Sequence, residues 1–231
     1  MSAGRRAQHR EATLAEIKEA ALAQIAARGA PNLSLRGLAG AIGMSPAGLY
    51  RYFDGRDAML TALVADAYLD LASAVEEAIG AAGSSPRERL IAGIFAYRDW
   101  AVGHPNRFHL IFGTPIPGYA APEDGPTVAA VRRMGDAFFG TAAYAWNRGA
   151  LRVAPPARPP TPEESEIAVE IARHAPGFPE AAVPVMLGAW AHWHGLAALE
   201  VAGHLQWAYP DPGLLWGQEA AAIADRFGLR D

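Results

Sequence analysis

The chain writes the start of a helix four times in the same way. Ser45-Pro46, Ser85-Pro86, Thr161-Pro162 and Asp211-Pro212 each set an oxygen-bearing side chain directly before a proline. Such an oxygen accepts a bond from a first-turn N–H, and the proline fills the first helical position, where its missing N–H costs nothing. In Ser85-Pro86-Arg87-Glu88 and Thr161-Pro162-Glu163-Glu164 a glutamate follows at the third position, where it can bond back to the cap. Sheet signals are weak by comparison. Val and Ile are sparse, Ala and Leu plentiful, and no alternation of period two persists. The pattern predicts an all-α fold.

Apolar spacing sets the expected helices. Leu14, Ile17, Ala21 and Ile25 mark a first helix over 11–28, stopped by Gly29. A short helix follows from Ser34 to Ile42, with Leu35, Leu38 and Ile42 inward, and Gly43 ends it. Ser45 to Phe53 makes the next, broken by Asp54-Gly55, and residues 57–81 form a long exit helix. Further helices are expected over 86–103, 106–112, 126–149, 162–174, 180–208 and 212–227. A Pro/Gly loop at 113–126 and a Pro-rich connector at 153–162 interrupt them. There is no internal repeat. The 231 residues suffice for two domains, divided here as 1–57 and 58–231.

Composition removes several chemistries. Without cysteine the chain has no disulfide, thiolate metal site or cysteine nucleophile. It has no uninterrupted apolar run of about 18 residues, and its N-terminus carries no apolar signal core, so a cytoplasmic protein is expected. The net charge of −4 conceals an asymmetry. Residues 1–57 hold eight Lys/Arg against five Asp/Glu, and the remainder holds 12 against 19. A basic front and an acidic body suit a small domain that meets phosphate and a larger one that does not.

Helix, Gly43 turn and short helix have the layout of a helix-turn-helix, whose second member enters the DNA major groove. Leu49 and Phe53, four apart, face the core. Tyr50, Arg51 and the small Ser45, Pro46 and Ala47 are left on the outer sides. Tyrosine hydroxyls at 50 and 52 can bond phosphates, while Arg51 and Arg56 can neutralise phosphates or read guanine. Ser34 caps the preceding helix, whose N-terminus is itself a place for phosphate. Arg5, Arg6 and Arg10 read either as a basic arm reaching the minor groove or as a charged tail.

The stretch "IKEAALAQIAARGAPNLSLRGLAGAIGMSPAGLYRYFDGRDAMLTAL" (17–63) resembles the DNA-binding domain of TetR-family (tetracycline-repressor-like) regulators. It carries Ala20-Ala21 and Gly29, then Ser34-Leu35-Arg36 with Leu38-Ala39, Gly43-Met44-Ser45, Leu49-Tyr50-Arg51-Tyr52-Phe53 and Gly55-Arg56. The resemblance implies DNA contact by Ser34, Arg36, Ser45, Ala47, Tyr50, Tyr52 and Arg56. Arg56 stands where the family usually has lysine, and Pro46 where a polar or basic residue is usual. Trp193-His194-Gly195 resembles the signature of the C-terminal regulatory group named for that tripeptide. It implies an effector-binding and dimerisation domain and names no ligand.

The remaining chain offers candidates for both roles. Phe95, Trp100, Phe108, Phe112, Met134, Phe138, Trp146, Met186, Trp190 and Trp193 are expected walls of an apolar effector pocket, or plain core. Segment 180–208 is apolar nearly all round and needs burial on more than one side. Gly188, His192, Gly195, Leu199 and Ala202, with Leu215, Trp216, Ala220 and Ile223 of the last helix, are expected to pair with a second copy, or to pack inside the subunit. His104, His109, His192 and His194 do not make a metal site, since 192 and 194 point to different helix faces and no carboxylate cluster accompanies them. No phosphate loop, nucleophile elbow or His-Glu-x-x-His occurs. The expected function is a dimeric, sequence-specific DNA-binding regulator without cofactor. It is a repressor released from a near-palindromic duplex operator by a small apolar effector. The alternatives are a ligand-binding helical protein with an inactive DNA-binding unit, and a helical enzyme.

Overall fold

The structure, a computed structural model, describes residues 3–153, 158–173 and 177–229. It is all-α among these residues. The helices are α1 (Ala3–Arg28), α2 (Leu35–Ala41), α3 (Pro46–Leu49), α4 (Arg56–Ala81), α5 (Pro86–Gly103), α6 (Pro105–Phe112), α7 (Pro126–Asn147), α8 (Pro162–Arg173), α9 (Val183–Val201) and α10 (Pro212–Arg226). Short 3-10 turns cover Ala30–Asn32 and Glu180–Ala182.

The repeated start signal works as its chemistry requires. Ser45 Oγ accepts the Gly48 N–H at 3.1 Å, Ser85 Oγ that of Glu88 at 3.3 Å, and Asp211 Oδ1 that of Gly213 at 2.9 Å. At α8 the box closes: Thr161 Oγ1 accepts the Glu164 N–H at 3.3 Å and Glu164 Oε2 accepts the Thr161 N–H at 2.8 Å. Arg158 donates twice to the same carboxylate and, with that N–H, holds it down at about 2.

Three expected elements end elsewhere. α1 starts at Ala3, so Arg5, Arg6 and Arg10 ride on a helix; good helix formers fill that stretch. α3 is one turn long, because after Leu49 the bonds shorten toward i−3, with Tyr52 N–H on Leu49 O at 2.9 Å. α9 stops at Val201, where His204 N–H takes the Leu199 carbonyl at 2.8 Å and Gly203 N–H that of Glu200 at 3.0 Å. Residues 202–208 therefore leave the helix, and Trp207 is 87% exposed. Residue 174, given to a helix by the sequence, lies outside the described residues.

The chain forms two compact units. The first comprises residues 1–68 and 104–131. Ile17, Ala21, Leu38, Leu49, Met59 and Leu60 are its fully buried centre, with Leu33, Leu35, Phe53, Leu63, Val64 and Leu110 around them. A boundary at residue 57 would cut this core, since the first turns of α4 belong to it. The loop after α6 joins as well: Ile116 and Tyr119 pack against the core, and the Tyr119 hydroxyl bonds Thr61 Oγ1 at 3.1 Å.

The second unit comprises residues 69–103 and 132–231. Tyr97 and Ile94 of α5, Trp193 of α9, Trp216 of α10 and Phe227 are fully buried in it. Gly93 lets α5 close on its neighbours, since a Cβ there would lie 3.0 Å from Ile79 Cδ1 and 3.1 Å from a Phe138 ring carbon. Glu200 is the buried hub. It takes Arg98 Nε at 2.8 Å and Nη2 at 2.6 Å, and the Trp216 indole N–H at 2.6 Å. Those bonds let a carboxylate sit inside an apolar bundle.

α4 is apolar enough by length and composition to cross a membrane, with a mean hydropathy of 1.5 over its best window. More than half of that window is buried inside the protein, 56%, which is how a core helix behaves.

Candidate nucleic-acid interface

The site is built outward from Leu38 and Leu49, both fully buried. They fix α2 and α3 on α1 and leave the opposite sides of both helices in solvent. Gly43, at φ +66°, makes the turn between them in the left-handed region that side chains disfavour. The Met44 N–H closes that turn on the Ala39 carbonyl at 2.9 Å.

Ser34 is exposed and caps α2, its Oγ accepting the Gly37 N–H at 3.2 Å. That bond uses a lone pair and leaves the hydroxyl proton for a phosphate oxygen. Arg36 follows in the first turn, exposed. On α3, Ser45 and Ala47 are exposed and Tyr50 is 55% exposed, with Arg51 beside it in solvent. Neither Arg36 nor Arg51 has a carboxylate partner among the described residues. The arrangement offers small residues for close approach, hydroxyls for phosphate, and unneutralised guanidinium groups.

Two members of the expected set sit differently. Tyr52 is half-buried against the core, and Arg10 of α1 lies over its ring at 5.4 Å, a cation–π contact. Arg56 turns back: its Nη2 donates to the carbonyls of Ala30 and Pro31, both at 3.3 Å, and its Nη1 to Asp57 at 3.2 Å. It braces the turn before α2. A residue that spacing did not reveal does similar work: Gln24 of α1 accepts the Ser34 N–H at 2.6 Å. Ten positions separate them, so only the folded chain brings them together.

The expected pocket residues of the second unit are mostly packed on one another. Trp100, Met134, Phe138, Met186 and Trp193 are buried, Phe95 and Trp190 half-buried. Phe138 meets Trp193 with ring centroids 4.8 Å apart. Trp146 departs from the set: it is 44% exposed near the end of α7. Phe108 and Phe112 pack together with centroids 5.2 Å apart on α6, which belongs to the first unit. A cavity of about 10 Å³ lies among Leu90, Thr141, Met186 and Phe227, room for about one water. The Tyr97 hydroxyl and His194 Nδ1 are 2.7 Å apart, and burial pushes the His194 pKa down.

The expected interface residues divide. Gly188, Leu199 and Ala202 are exposed, and His192, Gly195 and Leu215 half-exposed. Trp216, Ala220 and Ile223 are not surface residues at all: each is fully buried inside the chain. α10 therefore turns that stripe toward its own subunit, where Glu200 holds the Trp216 indole.

A capped helix pair, joined by a glycine turn, packed on a third helix and showing hydroxyl and guanidinium groups to solvent, defines a helix-turn-helix DNA-binding protein. The chain belongs to the TetR family of bacterial regulatory proteins. Residues 17–63 match that family's DNA-binding domain, and residues 90–223 match the tetracyclin repressor-like C-terminal domain. The HTH-type transcriptional regulators Rv1816 of Mycobacterium tuberculosis and Mb1846 of Mycobacterium bovis are each 37% identical to it over 224 residues. Those alignments cover 95% of this chain and 94% of each relative. The solved structure of SCO4313, described as a regulatory protein, superposes with a TM-score of 0.72 at 33% identity, over 94% of this chain and 97% of the other. The TetR-family transcriptional regulator PfmR of Thermus thermophilus shares the fold, with a TM-score of 0.58 at 20% identity, over 93% of this chain and 99% of the other. The protein is a DNA-binding transcriptional regulator of this family.

Proposed function

We propose that the protein is a dimeric repressor that leaves a near-palindromic operator when a small apolar effector binds its second unit. The observation that carries DNA reading is the row Ser34, Arg36, Ser45, Ala47, Tyr50 and Arg51, exposed over the buried Leu38 and Leu49. One reading helix of a single turn gives modest affinity. Two on one dimer reach successive major grooves about 34 Å apart and act together.

The outward strip of α9 supports pairing with a second copy. Leu187, Gly188, Ala191 and Leu199 are exposed there, with Ala202 just past the end of the helix, an apolar face of mostly small side chains. Release follows from α4, which runs unbroken from Arg56 to Ala81 and so contributes to both units. An effector that shifts its far end moves the reading helices out of register, and a coupling of about 1–3 kcal/mol suffices. In this reading the first unit recognises duplex DNA and the second binds effector and partner copy, in the cytoplasm and without catalysis or cofactor.

Selection of sites from random duplex DNA tests it, with affinity for the winner followed against salt. The expected result is a palindrome whose affinity falls steeply with salt, by roughly one counterion per neutralised phosphate. Failure to enrich any sequence with ligand-free protein would favour a small-molecule-binding protein whose DNA-binding unit is inactive.

A further inference from the structure

Among the described residues, three buried side-chain donors of the second unit have no acceptor: Arg89 Nε, whose guanidinium still donates through Nη1 to the Gly83 carbonyl at 3.0 Å, and the indoles of Trp190 and Trp193. Trp193 of α9 is completely buried, its ring against Phe138 of α7, and its Nε1–H meets no partner. Trp190, one turn earlier, stacks on His194 with centroids 5.2 Å apart, and its Nε1–H is also buried and unpaired. The chain treats its other buried indoles differently. Trp216 donates to Glu200 at 2.6 Å and Trp100 to Asp70 at 2.9 Å. A buried donor without an acceptor costs free energy that phenylalanine in its place would not. Packing alone therefore does not account for tryptophan at 190 and 193.

The surrounding charge narrows what fits. Arg98 of α5 is taken by both carboxylate oxygens of Glu200, and Arg133 of α7 by both of Glu76, at 2.9 and 2.5 Å. α9 itself carries no lysine or arginine. His194 lies against the Tyr97 hydroxyl, in surroundings whose burial favours its neutral form. Arg89, about two turns before Tyr97 on α5, is engaged with the Gly83 carbonyl and the Tyr144 ring, so an anionic ligand at the two indoles would enter without an adjacent counter-charge, which is costly in an apolar interior. An oxygen acceptor without charge meets no such penalty.

We infer that the effector is a neutral, largely apolar molecule bearing a carbonyl oxygen, as in a ketone, ester, lactone or amide, and that Trp193 and Trp190 are the donors that read it. The inference rests on the reading of the second unit as an effector domain. Entry requires side chains to move, since the nearby cavity at Met186 holds about one water. Met186, a turn before Trp190, is the deformable side chain for that.

The test uses full-length protein and matched probes: an aromatic hydrocarbon, the methyl ketone on the same rings, and the carboxylate on the same rings, with one-ring and two-ring bodies. Binding is read by tryptophan fluorescence, and release by operator retention. The ketone is expected to bind about tenfold more tightly than either analogue. Trp193→Phe, which removes the N–H and keeps an aromatic ring, should erase that preference and spare hydrocarbon binding. Trp190→Phe is the second variant if Trp193→Phe fails to fold, because Trp190 is only half-buried. Equal binding of ketone and hydrocarbon, tightest binding of the carboxylate, or an unchanged preference in both variants would overturn the inference. Hydrocarbon binding that releases the operator would leave the effector reading standing. Absence of binding by every probe, with the operator held throughout, would remove both.

Discussion

The two units use the same residue types in opposite ways. The reading unit points tyrosine and arginine outward over an aliphatic centre: Tyr50, Arg36 and Arg51 stand in solvent above Leu38, Leu49 and Met59. The second unit buries Tyr97, Phe138, Trp193 and Trp216 and ties three of its arginines to carboxylates, Arg98 to Glu200, Arg133 to Glu76 and Arg87 to Asp225. The difference follows from what each surface meets. A surface that exchanges counterions for phosphates must keep its cations unneutralised. An interior can hold a cation only beside its partner.

The largest expected effect on operator binding tests whether the outward strip of α9 pairs two copies. A Cβ at Gly195 would meet nothing within 4 Å inside the subunit. Gly195→Leu should leave the folded chain at least as stable, since leucine is the better helix former by ~0.8 kcal/mol. The dimer mass in solution should be lost, and operator affinity should fall on the order of a hundredfold with the second reading helix. A dimer that persists would show that the interface lies elsewhere.

The largest expected effect on stability belongs to the buried hub. Glu200→Ala strands the Arg98 guanidinium and the Trp216 N–H together. Breaking one side of a buried pair costs about 3–5 kcal/mol, visible in chemical denaturation. Operator affinity at low temperature should stay within about twofold, because Glu200 belongs to the second unit. A stability loss below about 1 kcal/mol would show that the pair is solvated.

Much of the reading unit was legible because its information is local. Caps at Ser34 and Ser45, the Gly43 turn and the four-residue spacing of Leu49 and Phe53 are decided within one or two turns of helix. The second unit was legible as helices but not as faces. Segment 180–208 is apolar nearly all round, so its pattern cannot say which side meets the subunit and which meets solvent. In the same way Trp216, Ala220 and Ile223 read as a stripe but not as an inward one. The Gln24–Ser34 and Arg56–Ala30 bonds link residues too far apart for any local pattern to show. The end of α9 was misplaced because 202–208 remains apolar, while Gly203 alone carried the stop.

The reading unit itself contains a smaller version of the same contrast, between Arg51 and Arg56. Arg51→Ala should weaken operator binding by about 1–3 kcal/mol if it reads a base, or lower the salt slope by about 1 if it meets a phosphate. Stability should stay within about 0.5 kcal/mol. Arg56→Ala should do the reverse: a loss of about 1 kcal/mol in stability, from its bonds to two turn carbonyls, with the salt slope unchanged. A fall of the slope in the Arg56 variant would return that residue to the DNA contacts.

The smallest effect belongs to the interior of the second unit. Burial holds the His194 pKa below its usual 6.5. The unfolded chain therefore takes up a proton near pH 6.5 that the folded chain still refuses. Stability from this group is complete above that pH and declines as pH falls toward the lowered folded value, where the dependence ends. Melting temperature should accordingly drop as pH falls through about 6.5, the upper edge of the range over which only the unfolded chain takes up the proton. His194→Gln keeps a polar partner for the Tyr97 hydroxyl but cannot titrate, so its drop should be shallower by this one group's share. The exposed His9, His104 and His109 remain in both proteins and cancel in the comparison. Equal slopes for the two proteins would mean that water reaches the His194 ring, and that the second unit is less closed around α9 than its packed tryptophans indicate.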